Sequence, residues 1–466
     1  MGWALPRLAV KAEEYVRATG QFAARGVQEK TVAAFDEDEV TLAADAGARA
    51  LAAARLDPGA LRGLNMASVG AQAGAATTVA LALGAGAAHA VDYRGGGPPL
   101  GAAVAAACET AEATGHPVLV VASDALRGPV DDPAEHGLGA AGAALLVTKS
   151  APVQLVGSAF ASGAALETGR VSSDGLVRSW VGDDPSAPAL RLALTRLAAE
   201  GFEAGSFDSL CGPERPGPLV AMHAPEPVDP AALPAAVAVR TGDTGAASAA
   251  LSLLSALEKA GGGAQVLLAD AEGASAAALA LKCAARPAGS DGFLGAVSEP
   301  RTHLAWHAYL GHRRYLPDPG PTRTVSEGAY LSAAQWEETL EVRLGLLMSR
   351  CRGCGGVRHP PAEACPECGA PDGELFRGRP AGTVHAVTRI GRGGAPSEFA
   401  AQQALTGEYA VAVVDLDDGG RTVAQVTGAD PRTVRIGDHV TLHVRRLFEQ
   451  EGRVRYGLKA LPARKD

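Results

Sequence analysis

Four cysteines in two C-x-x-C pairs, Cys351-Arg-Gly-Cys354 and Cys365-Pro-Glu-Cys368, joined by a short proline-containing loop, constrain this chain more than any other feature. Two such pairs can place four thiolates round one tetrahedral Zn²⁺, and metal bonding then replaces the core that so short a segment cannot bury. Four protein ligands close the coordination sphere, so the ion would organise a small ribbon and leave no position for substrate or activated water. Two disulfides are the other reading. Against it, Cys108, Cys211 and Cys283 are scattered singly, with no secretory framework around them. The expected zinc is architecture, and function has to be sought elsewhere.

A chain of 466 residues exceeds one ordinary core, so two or three domains are expected. Apolar residues make up 47% but aromatic ones only 4%, which calls for a core of Ala, Val and Leu; the 58 glycines suit close packing of helices on sheets. The net charge of −9 is carried by the part before the cysteines, and the part after them is nearly balanced. Neither has the basic footprint of a nucleic-acid binder. Arg7, Lys11, Glu13 and Glu14 interrupt any apolar core near the start, so no signal peptide is expected there. The uncharged stretch from Leu64 to Val91 contains Gln72, Thr77, Thr78 and His89 and reads as a buried helix, not a membrane span. Reduced thiols and no export signal point to a cytoplasmic protein.

Residues 1 to about 325 alternate apolar runs with Ala-rich stretches, as in an α/β protein. Val118–Ala122 and Val266–Ala269 are bare apolar runs of the kind buried on both faces of a sheet. Each follows an Ala-rich helix, Ala102–Thr114 or Ala246–Ala260, and each precedes an acidic turn, at Asp124 or Asp270. That repetition suggests two related halves.

Several motifs in this part match a family: Pro6-Arg7, Glu29-Lys30-Thr31-Val32, Asp36 to Ala43, Gly142 to Val147, Met222-His223-Ala224-Pro225, Gly242-Asp243-Thr244-Gly245, and Tyr309-Leu310 with Arg313-Arg314. Together they resemble 3-hydroxy-3-methylglutaryl-CoA synthases of the thiolase superfamily, over most of residues 1–325. The resemblance implies a five-layered αβαβα fold of two duplicated halves, usually dimeric, with a short first strand before Leu5-Pro6. Such enzymes join acyl thioesters. A cysteine takes the acyl group, a carboxylate moves protons, and a histidine with an asparagine stabilises thioester oxyanions.

The family's cysteine sits on a tight turn after a strand, here Val91 to Leu100, and the matching position is Gly97, give or take one residue. No cysteine is near it; Cys108 lies three turns into the next helix and is expected to pack. The segment Ala67–Gly74, where the carboxylate would stand, has no acidic residue. A glycine turn cannot accept an acyl group. His223 matches the oxyanion histidine, with a packing residue at a strand end as the alternative. Asp243 stands where asparagine is usual, and Asp before Thr and Gly also reads as an ordinary helix N-cap. An ionised Asp243 would repel a developing enolate.

Ser332 to Gln335 forms a capping box for a helix running to about Arg350, with Trp336, Leu340, Leu344, Leu347 and Met348 on one stripe that could dock on this chain or another subunit. After the cysteines come five short alternating segments, Thr383–Ile390, Tyr409–Leu416, Thr422–Thr427, His439–Leu447 and Val454–Ala460, which fit an OB-fold barrel. Ribbon and barrel resemble the acyl-CoA-associated OB-fold family with a rubredoxin-like zinc ribbon, over about residues 333–462. That implies a partner of thiolase-fold enzymes in a homo- or hetero-oligomer, helping to hold coenzyme A thioesters. The expected domains are residues 1–325 thiolase-like, 326–350 linker and docking helix, 351–376 ribbon and 377–466 OB-fold.

Three functions follow. The first is an accessory or scaffold subunit of an acyl-CoA carbon–carbon bond-forming or bond-cleaving complex. The second is a stand-alone retro-aldol lyase in which His223 stabilises an enolate and Asp243 is the base. The third is single-stranded nucleic-acid binding by the OB-fold, against which the charge balance argues.

Overall fold

A computed structural model describes residues 1–95, 97–164, 170–172, 174–179, 184–214, 218–225, 227–316, 339–371, 373–391, 399–450 and 453–463. The chain divides into two compact units, one of Met1–Ala80 with Ala85–Tyr315, the other of Leu81–Gly84 with Leu316–Asp466.

The first unit holds two larger sheets of related order, besides a three-stranded one of Thr302–His303, Leu8–Lys11 and Glu29–Val32. In the first half, β1 (Gly2–Ala4), α1 (Glu39–Ala54), β2 (Gly63–Ser68), α2 (Ala75–Leu83), β3 (His89–Arg94), α3 (Pro99–Thr114), β4 (Val118–Asp124) and β5 (Ala141–Val147) follow one another. Their sheet runs β1-β5-β4-β2-β3. The second half has β6 (Val153–Ala161), α4 (Ala187–Ala199), β7 (Ser209–Cys211), α5 (Leu219–His223), α6 (Ala246–Lys259), β8 (Gln265–Glu272) and β9 (Ser275–Cys283). Its sheet runs β6-β9-β8-β7, repeating the first order without a strand equivalent to β3 among the described residues. The segment leading to α6 carries Pro225, Pro227, Pro230 and Pro234, each lacking the N–H a ladder needs.

β4 and β8 are buried along almost their whole length, as their unbroken apolar runs require. The central helices α3 and α6 meet in one core that includes Leu100, Val104, Leu251 and Leu254. Each half also caps the other's central helix. Asp124, at the end of β4, accepts from the Ala246 N–H of α6 at 2.8 Å; Asp270, in β8, accepts from the Gly101 N–H of α3 at 3.0 Å. A carboxylate at a helix N-terminus satisfies an orphan donor and complements the helix dipole. The two acidic turns noticed in the sequence are therefore reciprocal clasps.

The stretch Leu64–Val91 is not one buried helix but a strand, a helix and a strand, β2, α2 and β3. Its glycines at 70, 74, 84 and 86 fall in the two connections, and they break what hydropathy alone reads as continuous. No helix among the described residues is long and apolar enough to cross a membrane.

In the second unit, α7 (Leu340–Gly345) is followed by β10 (Leu347–Cys351), so the helix expected to reach Arg350 stops five residues earlier. Leu346 ends it in the left-handed region, φ 50°, and β10 is then claimed by β11 (Val357–Arg358) and β12 (Gly373–Arg377). Ser332, Gln335 and Trp336 lie outside the described residues. The barrel strands are β13 (Ala381–Ile390), β14 (Tyr409–Leu416), β15 (Arg421–Gln425), β16 (His439–Gln450) and β17 (Arg453–Pro462), in the order β15-β14-β13-β16-β17. A bridge from Val426 to Ala460 brings the two edges together. Val384, Ala412, Val414, Val440 and Leu442 fill the interior.

Candidate functional site

The four cysteine sulfurs lie within 4.8 Å of one another, with Cys351 to Cys368 and Cys354 to Cys365 each 3.6 Å apart. Zinc–sulfur bonds of about 2.3 Å place the corners of a tetrahedron about 3.8 Å apart, so the donor set fits Zn²⁺. Two knuckles of one design hold it. In each, the glycine after the second cysteine donates to the first cysteine's carbonyl, Gly355 to Cys351 at 2.9 Å and Gly369 to Cys365 at 2.7 Å. Both glycines have left-handed backbone, φ 75° and 73°, which a side chain would oppose. Neither these glycines nor Arg358, whose Nη2 donates to Cys365 Sγ at 3.5 Å, was singled out by the cysteine spacing.

The Gly97 turn lies just ahead of Pro98, the N-cap of α3. A Cβ built on Gly97 meets nothing within 4 Å among the described residues, whereas one on Gly101 would lie 2.5 Å from the Ala277 Cβ. Gly97 thus has room for a side chain, and Gly101 has none. Cys108, half-buried in α3, has its thiol pKa pushed up by burial and then by Glu109. Burial also raises the thiol pKa of Cys211 and Cys283, so none of the three lone cysteines is an activated thiolate.

His223 ends the short helix α5, not a strand. Its Nε2 is buried without a hydrogen-bond partner among the described residues. Asp243 is not the N-cap of α6, which is Gly245; it stands two residues earlier and accepts the Gly245 N–H at 3.0 Å. Its other oxygen pairs with Arg170 Nη1 at 2.6 Å, and Arg170 turns its Nε and Nη2 to Glu272 at 3.0 Å each. Burial would depress Arg170, but Asp243 and Glu272 outweigh it and keep the guanidinium charged. Nothing in the sequence pattern singles out Arg170, because it lies 73 residues from Asp243 and 102 from Glu272.

Asp124 is wholly buried and accepts from the Ser68 hydroxyl at 2.6 Å and from the N–H groups of Val69, Gly70 and Ala246. Burial raises its pKa to about 6, against the pull of those donors. One carboxylate thus fixes the loop after β2 to the start of α6. Motif residues far apart in sequence converge elsewhere on Glu135. It accepts from Arg313 Nη2 at 2.6 and 2.7 Å, from the Gly128 N–H at 2.6 Å, from Lys30 at 3.2 Å and from the Tyr309 hydroxyl. Burial opposes its charge, yet Arg313 and Lys30 hold its pKa at about 2. Burial pushes Lys30 down to about 7 against the attraction of Glu135.

Comparison with known proteins agrees with this division. Residues 343–372 match the rubredoxin-like zinc ribbon domain of ChsH2, and residues 379–445 its C-terminal OB-fold domain. The first unit is a thiolase-like fold: the chain superposes on the crystal structure of an HMG-CoA synthase complexed with CoA with a TM-score of 0.57 and 19% identity, covering 71% of this chain and 93% of that one. A probable enoyl-CoA hydratase alpha subunit of Thermomonospora curvata is 32% identical over 109 residues, 23% of this chain and only 32% of its own length. A DUF35 domain-containing scaffold protein of Methanothermobacter thermautotrophicus is 33% identical over 125 residues, 26% of this chain and 88% of that protein. With nearly all of that protein matched, the chain belongs to the family of DUF35 domain-containing scaffold proteins and carries a thiolase-like unit in the same polypeptide.

Proposed function

We propose that this chain is a scaffold subunit of an acyl-CoA carbon–carbon bond-forming or bond-cleaving complex, holding a coenzyme A thioester without forming an acyl-enzyme. A thiolase-type partner supplies the cysteine. One observation supports this reading: at Gly97, just ahead of α3, a side chain would meet nothing within 4 Å among the described residues, and the residue there is glycine. The scaffold and hydratase-subunit relatives support a role inside a complex. Structural zinc belongs to the same proposal, with Cys351, Cys354, Cys365 and Cys368 as its ligands and no part in the chemistry.

The test is purification of the tagged full-length chain from native extract. A thiolase-fold enzyme with acyl-CoA activity should accompany it, and the chain alone should neither turn over acyl-CoA nor retain a denaturation-stable acyl label. Full activity of the isolated chain would refute the reading. Gly97→Cys probes the ligand: this variant, and not the wild type, should form a mixed disulfide with coenzyme A disulfide if the pantetheine arm reaches the turn.

A lyase of the retro-aldol type remains the second reading, favoured by the buried His223 Nε2, which has no hydrogen-bond partner among the described residues and is suited to donate to a thioester oxygen. Against it, the proposed base Asp243 is bound to Arg170 at 2.6 Å. Turnover that survives His223→Ala would dismiss this alternative. Nucleic-acid binding is disfavoured further. The helix Ala400–Thr406 is tied to the third barrel strand, where Gln425 donates to Gln402 at 3.1 Å. Arg432 and Arg446 are also paired with Glu408 and Glu449.

A further inference from the structure

We propose that Arg358 is part of the metal centre, a positioning residue whose guanidinium holds the Cys365 thiolate, offsets part of the charge of four sulfurs round one Zn²⁺, and so slows loss of the ion. This inference does not rest on the acyl-CoA reading. Arg358 lies in β11, paired with Ser349 of β10, so its backbone is fixed to the strand that carries Cys351. Its Nη2 is 3.5 Å from Cys365 Sγ and 3.2 Å from a carboxylate oxygen of Glu367. Its Nε is buried with no hydrogen-bond partner among the described residues. Leaving a cationic N–H unsatisfied is costly, and a concentrated negative charge beside the guanidinium offsets that cost. Four thiolates round one divalent ion provide such a charge.

The four sulfurs are not equivalent. Cys351 and Cys365 are 7% exposed, while Cys354 and Cys368 are exposed to solvent. Backbone N–H groups of Gly353 and Cys354 point at Cys351 Sγ, at 3.3 and 3.5 Å. Among the described residues a cationic side chain reaches Cys365, whereas Cys354 Sγ has the Glu367 carboxylate beside it at 3.9 Å. The ribbon therefore unwraps from Cys354 and Cys368, and Cys365 is held to the last.

The experiment uses the full-length, zinc-loaded chain and an excess of a chromogenic pyridylazo chelator. Arg358→Ala should release zinc about 10- to 100-fold faster than the wild type, the span typical of lost partners behind metal ligands. Arg358→Lys should fall between, keeping the charge without the planar fork. Arg352→Ala removes an exposed arginine of the first knuckle and should stay within about twofold of the wild type. In the cobalt-substituted chain, the sulfur-to-metal charge-transfer band should move to lower energy in Arg358→Ala, because a thiolate without its neighbouring cation gives up an electron more readily. If Arg358→Ala fails to load metal, Arg358→Lys is read for the same band shift. Wild-type release rates and band position in the Arg358 variants would overturn the proposal, as would an equal acceleration in Arg352→Ala.

Discussion

The cysteine ribbon and the Gly97 turn are the two short segments that the family resemblance ties to demanding chemistry, and the structure treats them differently. The ribbon keeps every sulfur within 4.8 Å of the others and keeps the glycine that closes each knuckle. The Gly97 turn has open space and no side chain that could react. α3 still starts beside it, capped across the halves by Asp270, and Asp124 still ties the loop after β2 to α6. A metal site loses its fold when it loses a ligand, because the ligands are the fold. A glycine turn needs no reactive side chain to hold its shape, because packing and buried carboxylates fix what flanks it. Conserved shape at an enzyme-like site is thus weak testimony of activity.

The sharpest way to break this comparison is to remove one sulfur. Cys351→Ser should abolish stoichiometric zinc binding, measured by atomic absorption, and expose the segment Leu347–Arg377 to protease. Structural zinc of this kind contributes about 10–16 kcal/mol of apparent binding energy at neutral pH. The thiolase-like unit should keep its own unfolding transition. A variant that retains full zinc would show that the ribbon does not depend on its ligands as claimed.

Glu135→Gln tests what holds the other unit. It leaves Lys30 and Arg313 buried without their carboxylate, a loss of about 3–5 kcal/mol in the denaturant midpoint. The pH dependence has a definite sign. Glu135 titrates near 2 in the folded chain against an ordinary 4.5, so its stabilisation is present above pH 4.5 and is lost as the pH falls toward 2. That shift is on the order of 3 kcal/mol. The glutamine variant should flatten this acid limb, followed by circular dichroism.

Much of this architecture was readable from the chain. All five barrel strands lie within a few residues of the positions that alternating patterns assign, from Ala381–Ile390 to Arg453–Pro462. Local period and local turns decide such strands. Where pairing partners are distant, the pattern misled. Leu344, Leu347 and Met348 fit a helical stripe, yet Leu347–Cys351 is a strand because Gly373–Arg377 pairs with it. The metal ligands were legible from spacing. Arg170 and Arg358 were not, since each meets its partners only through the tertiary fold.

Two glycines four residues apart sharpen the contrast between packing and chemistry. At Gly101 a methyl group would lie 2.5 Å from the Ala277 Cβ, in the seam between α3 and β9. Gly101→Ala should therefore cost about 1–3 kcal/mol, the usual penalty of overpacking, read from a lowered denaturant midpoint.

At Gly97 the same methyl group meets nothing within 4 Å. Gly97→Ala should change stability by no more than about 0.5 kcal/mol, as for substitutions that touch nothing. If the open space receives the thioester end of a ligand, the methyl group intrudes on the ligand and not on the protein. Stability should then hold while acyl-CoA affinity, measured by calorimetry on the assembled complex, falls by about the 1–3 kcal/mol of a steric misfit. A Gly97→Ala chain that binds acyl-CoA as the wild type does would mean that the vacated position is simply a gap, and that any ligand lies elsewhere.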